Sequence, residues 1–280
     1  MTEALTASGA SIVRLVRSAP QSTSEIRWNP GSTLDPAAVS GLDAVLHLAG
    51  QSIVGRWSAA RKAAIRDSRV LGTTTLSDAL SRTNQPPRVL VTASAVGYYG
   101  DRGDELLREE SSAGTGFLAD TCREWEASSA PAEAAGIRVV RARFGIVLSN
   151  KGGALDKMLL PFKLGLGGRI GNGQQWMSWI HVADIVGAIQ HILANPAMRG
   201  AVNLVAPNPA TNAEFTRALG KALSRPTIFP LPAFAARLAF GEMANAALLA
   251  SQRVEPAKLV ANGYTFQFPE LSGALKDLLG

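Results

Sequence analysis

Short, mostly apolar runs alternate with helix-length segments along this chain, and that rhythm constrains the fold more than any other feature. The runs are Ser11–Val16, Glu25–Trp28, Ala44–Leu48, Val89–Ala93, Val139–Ala142 and Val202–Val205. Their length and repetition predict strands of a parallel sheet covered on both faces. Between them, Ser58–Ser81 carries Ile65, Leu76 and Leu80 at helical spacing, and the alanine-rich Phe117–Ala135 stops before Gly136. Val182–Ala194 sets Ile185, Ile189 and Ile192 on one stripe. Thr211–Ser224 opens with Thr211 and Glu214 at capping-box spacing, followed by Phe215, Leu219 and Leu223. Beyond Pro226 the character changes. Prolines 226, 230 and 232 precede two short helices, an aromatic strand-like run (Tyr264, Phe266, Phe268) and a last helix through Leu271, Leu275 and Leu278. The expectation is an α/β fold: a doubly wound parallel sheet over residues 1–225 and a small C-terminal α/β lobe over 226–280.

Composition narrows the function classes. With 46% hydrophobic and 18% charged residues, the 280-residue chain can bury a sizeable core. Cys122 is the single cysteine, so no internal disulfide forms, and a reducing cytoplasm suits it. The net charge of +6 comes from scattered arginines without a basic block interleaved with aromatics, which argues against nucleic acid. Such arginines suit a phosphate-bearing small molecule better. The most apolar run, Leu231–Ser251, contains Arg237 and Glu242 and breaks at Gly241, which argues against a membrane span. No His, Cys or carboxylate spacing indicates a metal site. Oligomeric state is left open.

In a doubly wound sheet, ligands bind beyond the carboxyl ends of the strands. Arg17 follows the first run, where an acid would bind the ribose of NAD and an arginine can pair with the 2′-phosphate of NADP. Leu48, Ala49 and Gly50 end the third run, and the two small residues permit close approach of a ligand to backbone. His47 within that run reads as a packed core histidine. The fourth run leads into "SAVGYYGDRG", which brings the hydroxyls of Ser94, Tyr98 and Tyr99 to a strand end. Such a serine can bind a carbonyl or alcohol, and such a tyrosine can act as a general acid. A tyrosine-rich packing wall is the alternative. "GLGGRIG" (Gly165–Gly171) imitates a nucleotide loop but follows a helical segment and opens no helix.

Four stretches together, "DAVLHLAG", "RVLVTASAVGYYGDRG", "MLLPFKLGLGGRIGNGQQWMSWIHVADIV" and "GAVNLVAPNPATNAEFTRALGKAL", resemble the bacterial epimerase family proteins, an atypical branch of the extended short-chain dehydrogenase/reductases. The resemblance covers essentially the whole chain. It implies a Rossmann-like fold and a small-molecule substrate; with the strand-end positions above, the expected cofactor is NADP, NAD being possible, contacted by Arg17, Leu48, Ala49, Gly50 and Ser94. It also implies a strand and a glycine-rich turn ahead of the opening helix tail "TEALTASG", so roughly 15–20 further residues are expected before Met1.

One departure from the family's wider pattern bears on chemistry. The superfamily pairs the strand-end serine with Tyr-x-x-x-Lys on the next helix, and here Phe117 and Thr121 occupy those positions. Phenylalanine cannot transfer a proton, so Ser94 with Tyr98 or Tyr99 is the expected catalytic set. A tyrosine without the lysine favours carbonyl reduction over alcohol oxidation at neutral pH. Two readings stay open: an NAD(P)-dependent epimerase/dehydratase-like oxidoreductase, and a non-catalytic NADP(H)-binding sensor. In "WIHVADIV", His181 reads as hydrogen-bonded structure, and Asp184 as a first-turn acid favouring the helix dipole.

Overall fold

The computed structural model describes residues 1–280. In chain order, α1 (Thr2–Ala7) leads into β1 (Arg14–Val16) and β2 (Glu25–Arg27), which pair in parallel. Next come β3 (Ala44–His47), the long α2 (Ala59–Ser81), β4 (Val89–Ala95) and a 3-10 turn over Val96–Tyr99. The short β5 (Leu106–Leu107), α3 (Phe117–Ala127), α4 (Ala130–Ala134), β6 (Arg138–Phe144) and β7 (Ile146–Leu148) follow. Then come α5 (Gly153–Lys163), β8 (Trp176–Met177), β9 (Trp179–His181) and α6 (Val182–Ala194). After them run β10 (Gly200–Leu204), β11 (Ala210–Thr211) and α7 (Asn212–Ala222). Past Pro226 lie α8 (Ala233–Phe240), a π-helical turn over Ala244–Leu248, β12 (Arg253–Val254), α9 (Ala257–Ala261) and α10 (Leu271–Leu279).

The central sheet is parallel, in the order β10–β6–β4–β3. The Val, Leu and Ala residues of β4 and β6 are nearly all buried because helices cover them, as the lack of strict alternation predicts. The β1–β2 pair shares no ladder with this sheet. Both pack on one apolar cluster built from Trp28, Leu76, Leu80 and Leu90, with Leu15 and Val45 against it.

Two expectations change. The segment Phe117–Ala135 is two helices, because Pro131 lacks the N–H that a continuous helix needs there. The hydroxyls of Ser128 and Ser129 donate to the carbonyls of Glu124 and Glu126 at the break. The run Tyr264–Phe268 forms no strand. Asp184 accepts hydrogen bonds from the backbone N–H groups of Gln267 and Phe268, and from the Tyr264 hydroxyl. That buried carboxylate takes the donors a neighbouring strand would have used.

Residues after Pro226 do not hold a core of their own. Leu271, Leu275 and Leu278 of α10 share a cluster with Leu155 and Phe162 of α5 and with Phe215 and Leu219 of α7. The last strand, β12, pairs with β5 from the first half of the chain. Two contacts tie α8 and its flank back to the sheet domain: Lys62 with Glu242 at 2.9 Å, and Arg56 Nη1 donating to the Leu238 carbonyl at 3.1 Å.

Candidate functional site

Three polar side chains stand side by side across the carboxyl half of the central sheet. The β4–β6 register sets Ser94 beside Arg143, and the β10–β6 register sets Asn203 on the other side of Arg143. Direct neighbours in adjacent strands share a face, so the three meet. Arg143 is only 3% exposed, and a buried guanidinium needs a counter-charge. Glu126 on α3 supplies it, with Arg143 Nε and Nη2 donating to its two oxygens at 2.8 and 2.9 Å. Burial works against the charged guanidinium, but Glu126 outweighs it and raises the Arg143 pKa above its ordinary value.

The expected catalytic hydroxyls fall into this network unequally. Ser94, 2% exposed, donates its hydroxyl to Glu126 Oε1 at 2.7 Å. Tyr99 is fully buried, donates to Asn203 Oδ1 at 2.7 Å and accepts from Arg143 Nη1 at 2.9 Å. Burial pushes its phenol up to about 12, against the pull of Arg143 and Asn203. Tyr98 is half-buried, and its hydroxyl makes no hydrogen bond within the chain. The Arg143 guanidinium lies 3.5 Å from the Tyr98 ring centroid. Of the three, Tyr98 alone offers a free hydroxyl with a route to solvent.

Phe117 starts α3 and is capped by the Trp57 ring, with centroids 5.0 Å apart, and by the Lys62 ammonium at 4.8 Å. Thr121 is buried one turn on. Arg143 and Glu126 were not expected at the site from the sequence, although a charged residue within the apolar run "VVRARF" is a legible signal of one.

The cofactor expectations fall just after β1 and β3. Arg17 follows β1, is exposed and forms no ion pair. Leu48, Ala49 and Gly50 follow β3 and are exposed. A Cβ at Gly50 would lie 3.2 Å from Arg69 Cζ, so a larger residue here would displace the guanidinium by a few tenths of an ångström. An open turn of small residues with arginines beside it fits a phosphate-bearing dinucleotide.

Other groups singled out in the sequence have structural duties. The glycines of "GLGGRIG" serve packing: a Cβ at Gly167 would meet the Phe162 ring at 2.6 Å, and one at Gly168 would collide with the Phe229 backbone. His181 is buried, caps α6 by accepting from the Ala183 N–H at 3.1 Å, and has its pKa lowered chiefly by burial. Burial also pushes the Cys122 thiol up to about 12, leaving it a poor nucleophile. No helix is long and apolar enough to cross a membrane.

Residues 1–204 match the NAD dependent epimerase/dehydratase family, and residues 231–278 match a domain of unknown function, DUF1731. An epimerase family protein of Mycobacterium bovis is 47% identical over 277 residues, covering 98% of this chain and 91% of that protein. The crystal structure of human epimerase family protein SDR39U1 with NADPH superposes with a TM-score of 0.91 at 35% identity, covering 99% of this chain and 94% of the other. A nucleoside-diphosphate sugar epimerase from Corynebacterium glutamicum gives a TM-score of 0.78 at 36% identity, covering 97% of this chain and 53% of that one. With a sheet of this order and sequence similarity along its whole length, the chain belongs to the NAD-dependent epimerase/dehydratase family.

Proposed function

We propose that this protein is an NADP(H)-dependent oxidoreductase that reduces a carbonyl of a small molecule, with Tyr98 as the proton donor. The observation that carries this reading is the free Tyr98 hydroxyl beside a buried cation at the strand ends. NADPH, when bound, supplies a hydride. Leu48, Ala49 and Gly50 would line the dinucleotide and Arg17 would pair with its 2′-phosphate, with no acid nearby to favour NAD. Tyr98 holds the proton that the substrate oxygen receives as its carbon is reduced. Ser94 and Tyr99 keep the rings and guanidinium in register, through Glu126 and Asn203. This gives Ser94 and Tyr99 positioning roles, and Tyr98 the chemical one.

A second reading has its own support. Phe117 packed under Trp57 and Lys62, with Ser94 committed to Glu126, describes a site without the usual proton donor, which suits a non-catalytic NADP(H) sensor. The two separate experimentally. NADPH and NADH are titrated against the protein and against Arg17→Ala, and NADPH oxidation is then followed at about 340 nm over a panel of carbonyl compounds. Arg17→Ala is expected to weaken NADPH by roughly 1.5–3 kcal/mol and to leave NADH unchanged. Tyr98→Phe is expected to abolish turnover without weakening NADPH. Tight NADPH binding with no turnover of any compound would leave the sensor reading standing.

A further inference from the structure

Large apolar side chains scattered singly over a surface need no explanation, but here they are gathered. Eight of them are more than half exposed, and seven of these fall in two segments, 160–166 and 228–238. Leu160 and Leu164 stand one turn apart at the end of α5. Phe234 and Leu238, 72% and 73% exposed, stand one turn apart on α8. Ile228 and Phe229 protrude from the proline-rich connection that leads into α8.

The two segments form one surface. A Cβ at Gly168 would fall on the Phe229 backbone, and Gly165 adjoins Pro226. The Leu231 N–H donates to the Arg169 carbonyl at 2.8 Å, and the Gly171 N–H to the Leu231 carbonyl at 2.9 Å. Gly171 also adjoins Ala233 at the start of α8. This backbone seam fixes both apolar fringes in place while more than half of each side chain stays in water. Exposed apolar surface of that extent marks a docking face.

Charge identifies what docks there. Residues 151–240 hold nine Lys and Arg against three Asp and Glu. Of those acids, Asp184 is buried against the Gln267 backbone, and Glu214 is engaged by Thr211. Every Lys or Arg that pairs with a carboxylate lies between Arg14 and Arg143. Lys163, Arg169, Arg217, Lys221, Arg225 and Arg237 are therefore exposed cations without a counter-charge, and they surround the apolar fringes. Arg169 and Arg217 share a groove with Thr216, Thr227 and Ile228, a set of donors that suits a phosphodiester. A second copy of the chain matches this charge badly, because across a two-fold axis the face would meet its own cations. An anionic lipid surface matches both components. Its phosphates lie opposite the cations, and its acyl chains opposite the apolar side chains.

We propose that this face, formed by the end of α5, the connection after α7 and α8, docks the protein peripherally on an anionic lipid bilayer. The chain lies on the bilayer and does not span it, and the assignment is independent of the NADP(H) reading. The test is cosedimentation of the whole chain with vesicles of phosphatidylcholine alone, or of equal parts phosphatidylcholine and phosphatidylglycerol. The unaltered chain is compared with Phe234→Ser/Leu238→Ser, with Arg217→Glu/Arg225→Glu, and with Val260→Ser, an exposed apolar position outside the face. Melting temperature and molar mass by light scattering are recorded for each. The unaltered chain and Val260→Ser are expected on the mixed vesicles and not on phosphatidylcholine alone. The charge reversals should weaken partitioning by about 25-fold or more, roughly 5-fold for each cation. The serine pair should weaken it by about 10-fold or more through lost apolar contact. Absence of the unaltered chain from both kinds of vesicle overturns the proposal, as does binding that neither double variant weakens. A dimer that the serine pair dissociates, with no vesicle binding, would assign the face to a second copy. Retention on immobilised polyglutamate without vesicle binding would assign it to an acidic protein, and either result overturns the proposal.

Discussion

Arg143 is enclosed by the sheet and α3, with Glu126 as its counter-charge and the Tyr98 ring beneath its guanidinium. Removing one member of such a pair leaves the other buried and uncompensated. Arg143→Met is therefore expected to lower stability by about 3–5 kcal/mol in urea unfolding. Tyr98→Phe, which deletes a hydroxyl without partners in the chain, should stay within about 0.5 kcal/mol of the parent. Equal losses for the two would contradict the division between buried network and free hydroxyl. His47 offers a second check. It is buried with Nε2 unpartnered, and burial lowers its pKa from 6.5 to about 4. Below pH 6.5 the unfolded chain binds a proton that the folded chain refuses, so stability falls as pH drops from 6.5 towards about 4. The contribution is of order 3 kcal/mol from the size of the shift. His47→Phe should flatten that slope between pH 6.5 and 4 without removing it, because His181 acts in the same direction.

Among the elements, α7 has the most fully specified start. The Thr211 hydroxyl accepts from the Glu214 N–H at 3.3 Å, and the Glu214 carboxylate accepts from the Thr211 N–H at 2.8 Å. These bonds satisfy donors that would otherwise be orphaned, and the Thr211 N–H and hydroxyl donating to the Glu214 carboxylate lower its pKa. Thr211→Ala is expected to cost about 1 kcal/mol in thermal or urea unfolding. No measurable change would mean that tertiary packing alone defines the start of the helix. This capping box was legible in the sequence because its partners are three residues apart. The split at Pro131 was legible in principle. The fate of Tyr264–Phe268 was not, since its backbone donors find Asp184 more than seventy residues away in the chain.

For the whole molecule, the shared core of α5, α7 and α10 couples the segment after Pro226 to the middle of the chain. Leu275 is fully buried within it, and Leu275→Ala should lower stability by about 2–5 kcal/mol. The loss should appear as a shift of one cooperative transition followed by near-ultraviolet dichroism. A separate early transition, with the remainder unmoved, would mean that the C-terminal lobe folds alone. The Lys62–Glu242 pair and the Arg56–Leu238 contact add to this coupling at the surface, where a single ion pair contributes little.

By itself the sequence determined the strand-and-helix alternation, the parallel sheet, the helix caps and the strand-end residues at which ligands meet such folds. These features arise from local periodicity and from interactions between near neighbours in the chain. Only the tertiary structure decided which hydroxyl stays free. Ser94, Tyr98 and Tyr99 lie within six positions, yet the registers of β4, β6 and β10 draw Ser94 and Tyr99 into contact with Glu126 and Asn203 and leave Tyr98 half-exposed. Burial and charge pairing are set by residues remote in sequence, so neither can be read from the stretch in which a side chain occurs.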